Sequence, residues 1–231
     1  MVLGAAACRR TADSSFRPES FDASRERMVR EQIEARGVTD EQVLAAMRKV
    51  PRHEFVPERW IDSAYDDGPL PIGYDQTISQ PYIVALMTEL LQLTPQSKVL
   101  EVGTGSGYQA AVLAEITGEI YSIEIIEPLA TSAEERLKRL GYDKVHVRLG
   151  DGYLGWPEHA PFDAIIVTAG AAHVPPPLVE QLKPGGRMVI PIGEFPGQQS
   201  LVLVEKSATG KVSEHHVLPV AFVPLTRAPK E

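Results

Sequence analysis

A single cysteine, Cys8, stands among the 231 residues, which excludes an intrachain disulfide and any cysteine cluster for metal. The six histidines are scattered. The adjacent pair His215-His216 would point to opposite faces of a strand, so no metal ligand set is expected. Positive charge is in deficit, with 23 Lys and Arg against 31 Asp and Glu and a net charge of −8. That balance leaves no electrostatic footprint for nucleic acid and favours a protein acting on peptides or small molecules. No apolar run approaches the ~20 residues of a membrane-spanning helix. Internal repeats and low-complexity tracts are also missing. What is present is ordinary: 43% hydrophobic and 23% charged residues, in a chain long enough for one α/β domain with an appendage.

The centre of the chain is Lys98-Val99-Leu100-Glu101-Val102-Gly103-Thr104-Gly105-Ser106-Gly107-Tyr108. Val99, Leu100 and Val102 predict a buried parallel strand, and Gln109 to Ala114 a helix. Strand, glycine turn and helix form the opening unit of a Rossmann-type sheet. Glycine lets backbone approach a ligand closely, and the N–H groups of the following helix face that ligand. A dinucleotide fingerprint would need glycine at position 108, where this chain has Tyr108. The spacing Glu101-x-Gly103-x-Gly105-x-Gly107 instead resembles the first motif of S-adenosylmethionine-dependent methyltransferases. A tight turn without a ligand is the alternative reading of the motif alone.

Upstream, residues 1–23 read as a flexible leader and residues 24–231 as one domain. Within it, 24–96 hold helices and a substrate loop, and 97–231 a Rossmann-like core. Val2 to Cys8 faintly resembles the end of a lipoprotein signal but lacks a basic leading segment and a full apolar core. A cytoplasmic location is expected, with an exported or lipid-anchored one as the alternative. Ser24 to Arg36 reads as an amphipathic helix stopped by Gly37, and Thr39 opens a capping-box spacing before a second helix that Pro51 ends. From residue 51 to 82 periodicity vanishes. A long irregular loop inside a domain is usually functional, and this one leads through a helix (Tyr82 to Leu93) straight into the glycine turn.

Downstream, Glu119 to Glu124 reads as the second strand, ending in an acid about twenty residues beyond the glycine turn. A carboxylate there accepts hydrogen bonds from ribose hydroxyls. Val145 to Leu149 is the third strand, followed by Gly150-Asp151-Gly152, where Asp151 either only shapes a turn or accepts the exocyclic amine of adenine. Phe162 to Val167 is the fourth strand, followed by the small residues Thr168 to Ala172. Arg187 to Gly193 is the fifth, and two later strands would form an antiparallel pair at a sheet edge.

Together these pieces resemble the protein-L-isoaspartate O-methyltransferase family from about Arg25 to Arg227. The resemblance is carried by Met28-Val29-x-x-Gln32-Ile33, Pro51-Arg52-His53-x-Phe55-Val56-Pro57, Ile78-Ser79-Gln80-Pro81, the glycine motif through Gln109, Gly150-Asp151-Gly152, Leu182-Lys183-Pro184-Gly185-Gly186-Arg187 and Phe222-Val223-Pro224-Leu225. Ile-Ser-Gln-Pro is the most diagnostic. The family implies a doubly wound, mostly parallel seven-stranded sheet with the last strand antiparallel, plus N-terminal helices. It implies S-adenosylmethionine as cofactor and isoaspartyl peptides and proteins as partners, with Ser79 as the active-site serine. Expected cofactor contacts are Glu101, Gly103, Thr104, Gly105, Ser106, Gly107, Glu124, Asp151 and Gly152. Expected substrate contacts are Thr77, Ile78, Ser79, Val223 and Leu225, and a monomer is expected. The rival readings are a methyltransferase for a small hydroxyl or carboxyl compound and a non-catalytic cofactor-binding module.

Overall fold

The computed structural model describes residues 20–194 and 197–227. Helix α1 (Phe21–Met28) starts inside the stretch expected to be leader, because the Ser20 side chain accepts from the Ala23 N–H and caps it. The Phe21 ring also stacks on His53 at 4.0 Å, a contact too remote in sequence for any local pattern to announce. The leader before Ser20, with Val2 to Cys8, lies outside the described residues. The helix runs on through a wide turn at Val29–Ile33 and a tight one at Glu34–Arg36, then ends at Gly37 in the left-handed region. Helix α2 (Glu41–Lys49) is capped by Asp40 rather than Thr39. The Asp40 carboxylate accepts from Gln42 and Val43 at 2.8 and 3.2 Å. The free N–H groups of Thr39 and Asp40 are taken instead by Glu89 at 2.7 and 2.8 Å, from a helix that tertiary packing brings alongside.

The stretch expected to be irregular contains short helical turns at Arg52–Phe55 and Glu58–Ser63. It then forms a hairpin of β1 (Leu70–Gly73) and β2 (Gln76–Ile78). Tyr74 and Asp75 both have positive φ at its tip, the tight-turn conformation that matches strand twist. Helix α3 (Pro81–Leu90) follows, with proline at its first position, where the missing N–H costs nothing.

Then come β3 (Lys98–Val102), α4 (Tyr108–Ile116), β4 (Glu119–Glu124), α5 (Glu127–Arg139), β5 (Val145–Leu149) and β6 (Phe162–Val167). The chain ends through α6 (Pro176–Gln181), β7 (Leu182–Gly193), β8 (Gln199–Lys206) and β9 (Val212–Val220). The large sheet has the order β5-β4-β3-β6-β7-β8-β9. Strands β3 to β7 are parallel, β8 is antiparallel to β7, and β9 is antiparallel to its neighbour β8. Side chains alternate across it. Val99, Ala164, Val189 and Leu201 pack with the helical layer that includes α2, α3 and α4, whereas Leu100, Val102, Ile165, Ile190 and Val202 pack with Leu178 of α6. Burial of both faces is why these strands read as near-continuous apolar runs. Among the described residues no helix is long and apolar enough to cross a membrane.

Successive strands leave β3 in opposite directions, to β4 on one side and β6 on the other. Ligands of such sheets bind outside the carboxyl ends of the strands at this switch point. As a check on the N-terminal layer, Asp40→Ala should remove the two cap hydrogen bonds of α2 at a cost of about 1 kcal/mol. Thermal unfolding should show a fall of roughly 2–4 °C. An unchanged midpoint would mean that Glu89 alone secures this helix end.

Candidate active site

The glycine turn lies at the carboxyl end of β3. Gly103 sits at φ 97°, and a Cβ there would stand 2.4 Å from the Thr168 hydroxyl, so only glycine fits. Thr168 follows β6 and locks the turn to that strand. Its N–H donates to the Val102 carbonyl at 2.9 Å and its hydroxyl to the Gly103 carbonyl at 2.6 Å. From the other side the Gly103 and Thr104 N–H groups donate to the Ile123 carbonyl.

Glu124 ends β4 and is buried at the wall of the cleft beside this turn. One carboxylate oxygen accepts from the Gly105 N–H at 2.8 Å, the other from Ile125 and Ile126 at 2.9 and 3.0 Å. A carboxylate offers about four lone-pair positions, and three are filled by backbone. The oxygen that holds Gly105 keeps room for one more donor, and the apolar Ile125 and Ile126 line the same cleft. An anionic acceptor, a close glycine backbone and an apolar flank suit a nucleoside carrying ribose hydroxyls and a flat base.

Glu101 is different. It is fully buried beneath the turn and lies off the cleft wall. One oxygen accepts from the Ser122 hydroxyl, which also bonds Thr104, while the other has no partner. Burial pushes its carboxyl up to about 8, against a lowering effect of the Ser122 hydrogen bond. It is therefore the neutral acid at pH 7.

Asp151 precedes Gly152 of the cleft wall. It accepts from the Tyr153 N–H at 3.0 Å and from the Arg227 guanidinium at 2.8 Å, which lies 3.8 Å over the Tyr153 ring. Gly103, Gly105, Glu124 and Gly152 line the cleft, as do Thr77, Val223 and Leu225. Thr104, Ser106 and Ile78 line a crevice that opens from it. Gly107 lines neither and forms the left-handed entry to α4.

A second, more apolar groove runs between the 77–83 segment and the end of β9, lined by Ser79, Gln80, Tyr82, Leu218, Val220 and Phe222. Thr77, Thr168 and Val223 belong to both clefts, so the two meet there. Ser79 faces the groove and the crevice together. It is not the helix cap, since Gln80 occupies that place before α3. Thr168 is the residue that sequence reading missed. Its signal was its position, the first residue after a strand at the switch point, hidden by the run of small residues behind it.

Residues 23–230 match the family model described as protein-L-isoaspartate(D-aspartate) O-methyltransferase. A protein-L-isoaspartate O-methyltransferase of Opitutus terrae is 64% identical over 203 residues, 88% of this chain and 87% of that protein. One from Polaromonas sp. is 65% identical over 187 residues, 81% of this chain and 89% of its own length. A solved protein-L-isoaspartate O-methyltransferase superposes with a TM-score of 0.79 at 32% identity, covering 87% of this chain and 65% of that one. A structure from Plasmodium falciparum assigned to the same enzyme class, in complex with S-adenosyl-L-homocysteine, gives 0.76 at 28% identity, over 88% and 99% of the two chains.

The Glu101 environment has a measurable consequence. An unfolded glutamate titrates near ~4.3, whereas the folded one is raised to about 8. Between those values the folded chain keeps a proton that the unfolded chain has lost. Its stabilising contribution is thus complete below about 4.3, declines as pH rises and is gone above about 8. Glu101→Gln removes this slope. Urea unfolding of both proteins from about pH 5 to 9 should show the variant gaining on the wild type as pH rises. Parallel curves would place an ionised carboxylate at Glu101.

Proposed function

The chain belongs to the protein-L-isoaspartate(D-aspartate) O-methyltransferase family, and on that premise we propose how its two joined clefts divide the work. The protein is a repair methyltransferase that moves a methyl group from S-adenosylmethionine to the α-carboxylate of L-isoaspartyl residues in damaged peptides and proteins. The cleft at the glycine turn takes the cofactor, and the groove beside Ser79 takes the peptide. The observation that carries this division is the meeting of the two clefts at Thr77, Thr168 and Val223.

In this reading Glu124 accepts from the ribose hydroxyls through the oxygen that also holds Gly105, while Ile125 and Ile126 flank the base. When bound, S-adenosylmethionine supplies an electrophilic methyl group on a positively charged sulfur. The acceptor is a carboxylate with a pKa near ~4, already ionised at neutral pH, so the chain needs no strong base. What the residues must do is aim it. The Ser79 hydroxyl donates to one acceptor oxygen and leaves the other free to attack in line. Thr168 holds the Gly103 carbonyl, and with it the turn, at the junction. The apolar side chains of Val223 and Leu225 keep water from it. Asp151 contributes through its turn, which presents Gly152 to the cleft, and Glu101 as the neutral floor of the glycine turn.

Discrimination follows from geometry. In an aspartyl peptide the free carboxylate is one methylene farther from the main chain than in the isoaspartyl form. With the backbone gripped by the groove, a shift of about one bond length costs on the order of a hundredfold in rate. Matched isoaspartyl and aspartyl peptides should therefore differ mainly in kcat/KM, with the aspartyl form nearly inert. Equal methylation of both, or of neither, would overturn the assignment of the groove. The reading includes a cytoplasmic monomer, in which each molecule carries both clefts.

Two substitutions separate the roles. Ser79→Ala should lower kcat by the ~1–3 kcal/mol of one orienting hydrogen bond while cofactor affinity by calorimetry stays unchanged. A wild-type rate would make Ser79 structural. Glu124→Ala should weaken S-adenosylmethionine binding about tenfold or more, since charge-assisted hydrogen bonds contribute roughly 1.5–3 kcal/mol. Unaltered affinity would remove Glu124 from the cofactor site.

A further inference from the structure

We infer that Gln199 is a positioning residue for methyl transfer: its buried side-chain amide holds the strap Phe222–Leu225 as the common wall of both clefts. The inference rests on the assignment of those clefts to cofactor and peptide given above. Gln199 opens β8, with its backbone paired to Gly193 on one side and Val220 on the other. Val220 is the last residue of β9, so the regular ladder stops there. The strap beyond it would have no strand partner.

The Gln199 side chain takes over from the backbone. Its oxygen accepts from the Phe222 N–H at 2.7 Å, and its NH₂ donates to the Phe222 carbonyl at 3.1 Å. A primary amide has the same donor and acceptor pair as a peptide group, so it can extend a ladder by one rung. The residue is 5% exposed, which denies its amide water as an alternative partner.

Gly170 completes the arrangement. Its N–H donates to the Val223 carbonyl at 2.8 Å, and its carbonyl accepts from the Leu225 N–H at 2.7 Å. A Cβ on Gly170 would stand 2.5 Å from the Gln199 amide nitrogen, so glycine is what lets the amide lie against this loop. The strap is thus bracketed by a side chain of β8 at Phe222 and by backbone at Val223 and Leu225. Its far side is the wall of the cofactor cleft at Val223, Pro224 and Leu225, and of the peptide groove at Phe222 and Val223. Gln199 itself lines neither cleft. It acts through the strap, and a loose strap misplaces both reactants at once.

The test uses Gln199→Ala, which removes both hydrogen bonds, Gln199→Glu, which keeps shape and acceptor but loses the donor, and Gly170→Ala, which crowds the amide. In each variant, hydrogen exchange at Phe222 and Leu225 should quicken about tenfold or more, while exchange in β3 and β6 stays slow. S-adenosylmethionine affinity should fall by calorimetry, and KM for an isoaspartyl peptide should rise, with Gln199→Glu milder than Gln199→Ala. Wild-type exchange at the strap together with wild-type affinity in Gln199→Ala would overturn the proposal. So would variants whose losses match a lowered folded fraction, with exchange raised evenly across the sheet. Failure of the wild type to methylate isoaspartyl peptides would refute the peptide reading alone, because strap exchange and cofactor affinity judge Gln199 without it.

Discussion

Three backbone N–H groups converge on the Glu124 carboxylate, and the site is arranged around that convergence. One comes from Gly105 in the turn after β3, and two from Ile125 and Ile126 on the way into α5. A buried charge is tolerated when hydrogen bonds replace its water. Here the replacement also ties the ends of two strands together. The acid near the N-terminus of α5 is favoured by the helix dipole as well. The same oxygen that holds the glycine turn keeps room for one more donor, so turn geometry and the proposed cofactor contact depend on one side chain.

Glu101 shows how far surroundings divide two chemically identical groups. It lies one strand away and more deeply buried, with a hydroxyl on one oxygen and nothing on the other. Without backbone donors, burial favours its neutral form. Keeping a second negative charge out of the space beneath the turn leaves Glu124 as the anion that faces the ligand. A fixed excess of negative charge there would also repel an incoming carboxylate substrate.

Methyl transfer to a carboxylate needs little acid–base chemistry and strict alignment. Alignment in turn requires walls that do not drift. Two of them lie outside the large sheet's ladder, the end of hairpin strand β2 running into Ser79 and the strap after β9. The first is held by its pairing with β1 and the second by the Gln199 side chain and Gly170, and each touches both clefts. Placing the junction between them lets one small set of residues position both reactants.

Much of this was legible in the chain. Apolar runs located β3 and β6, because strands buried on both faces must be apolar throughout, whereas the edge strand β5 is partly exposed and apolar only at alternate residues. The glycine spacing located the turn, since close backbone approach leaves few residue types to choose from. Glu124 could be proposed from its place at the end of β4, and Ser79 from the family resemblance carried by Ile78-Ser79-Gln80-Pro81. Other features depend on contacts between residues distant in sequence, which leave no local periodicity. Phe21 joins the first helix by stacking on His53, and Glu89 takes the Thr39 N–H that a capping box would have claimed. Asp151 sits in the expected motif, and the Arg227 guanidinium that its carboxylate meets comes from the far end of the chain. Thr168 and Gln199 matter because of what the fold sets against them, Gly103 in one case and the strap in the other. Local propensity and burial pattern determine which elements form; which polar side chains meet is decided only when the sheet has closed around them.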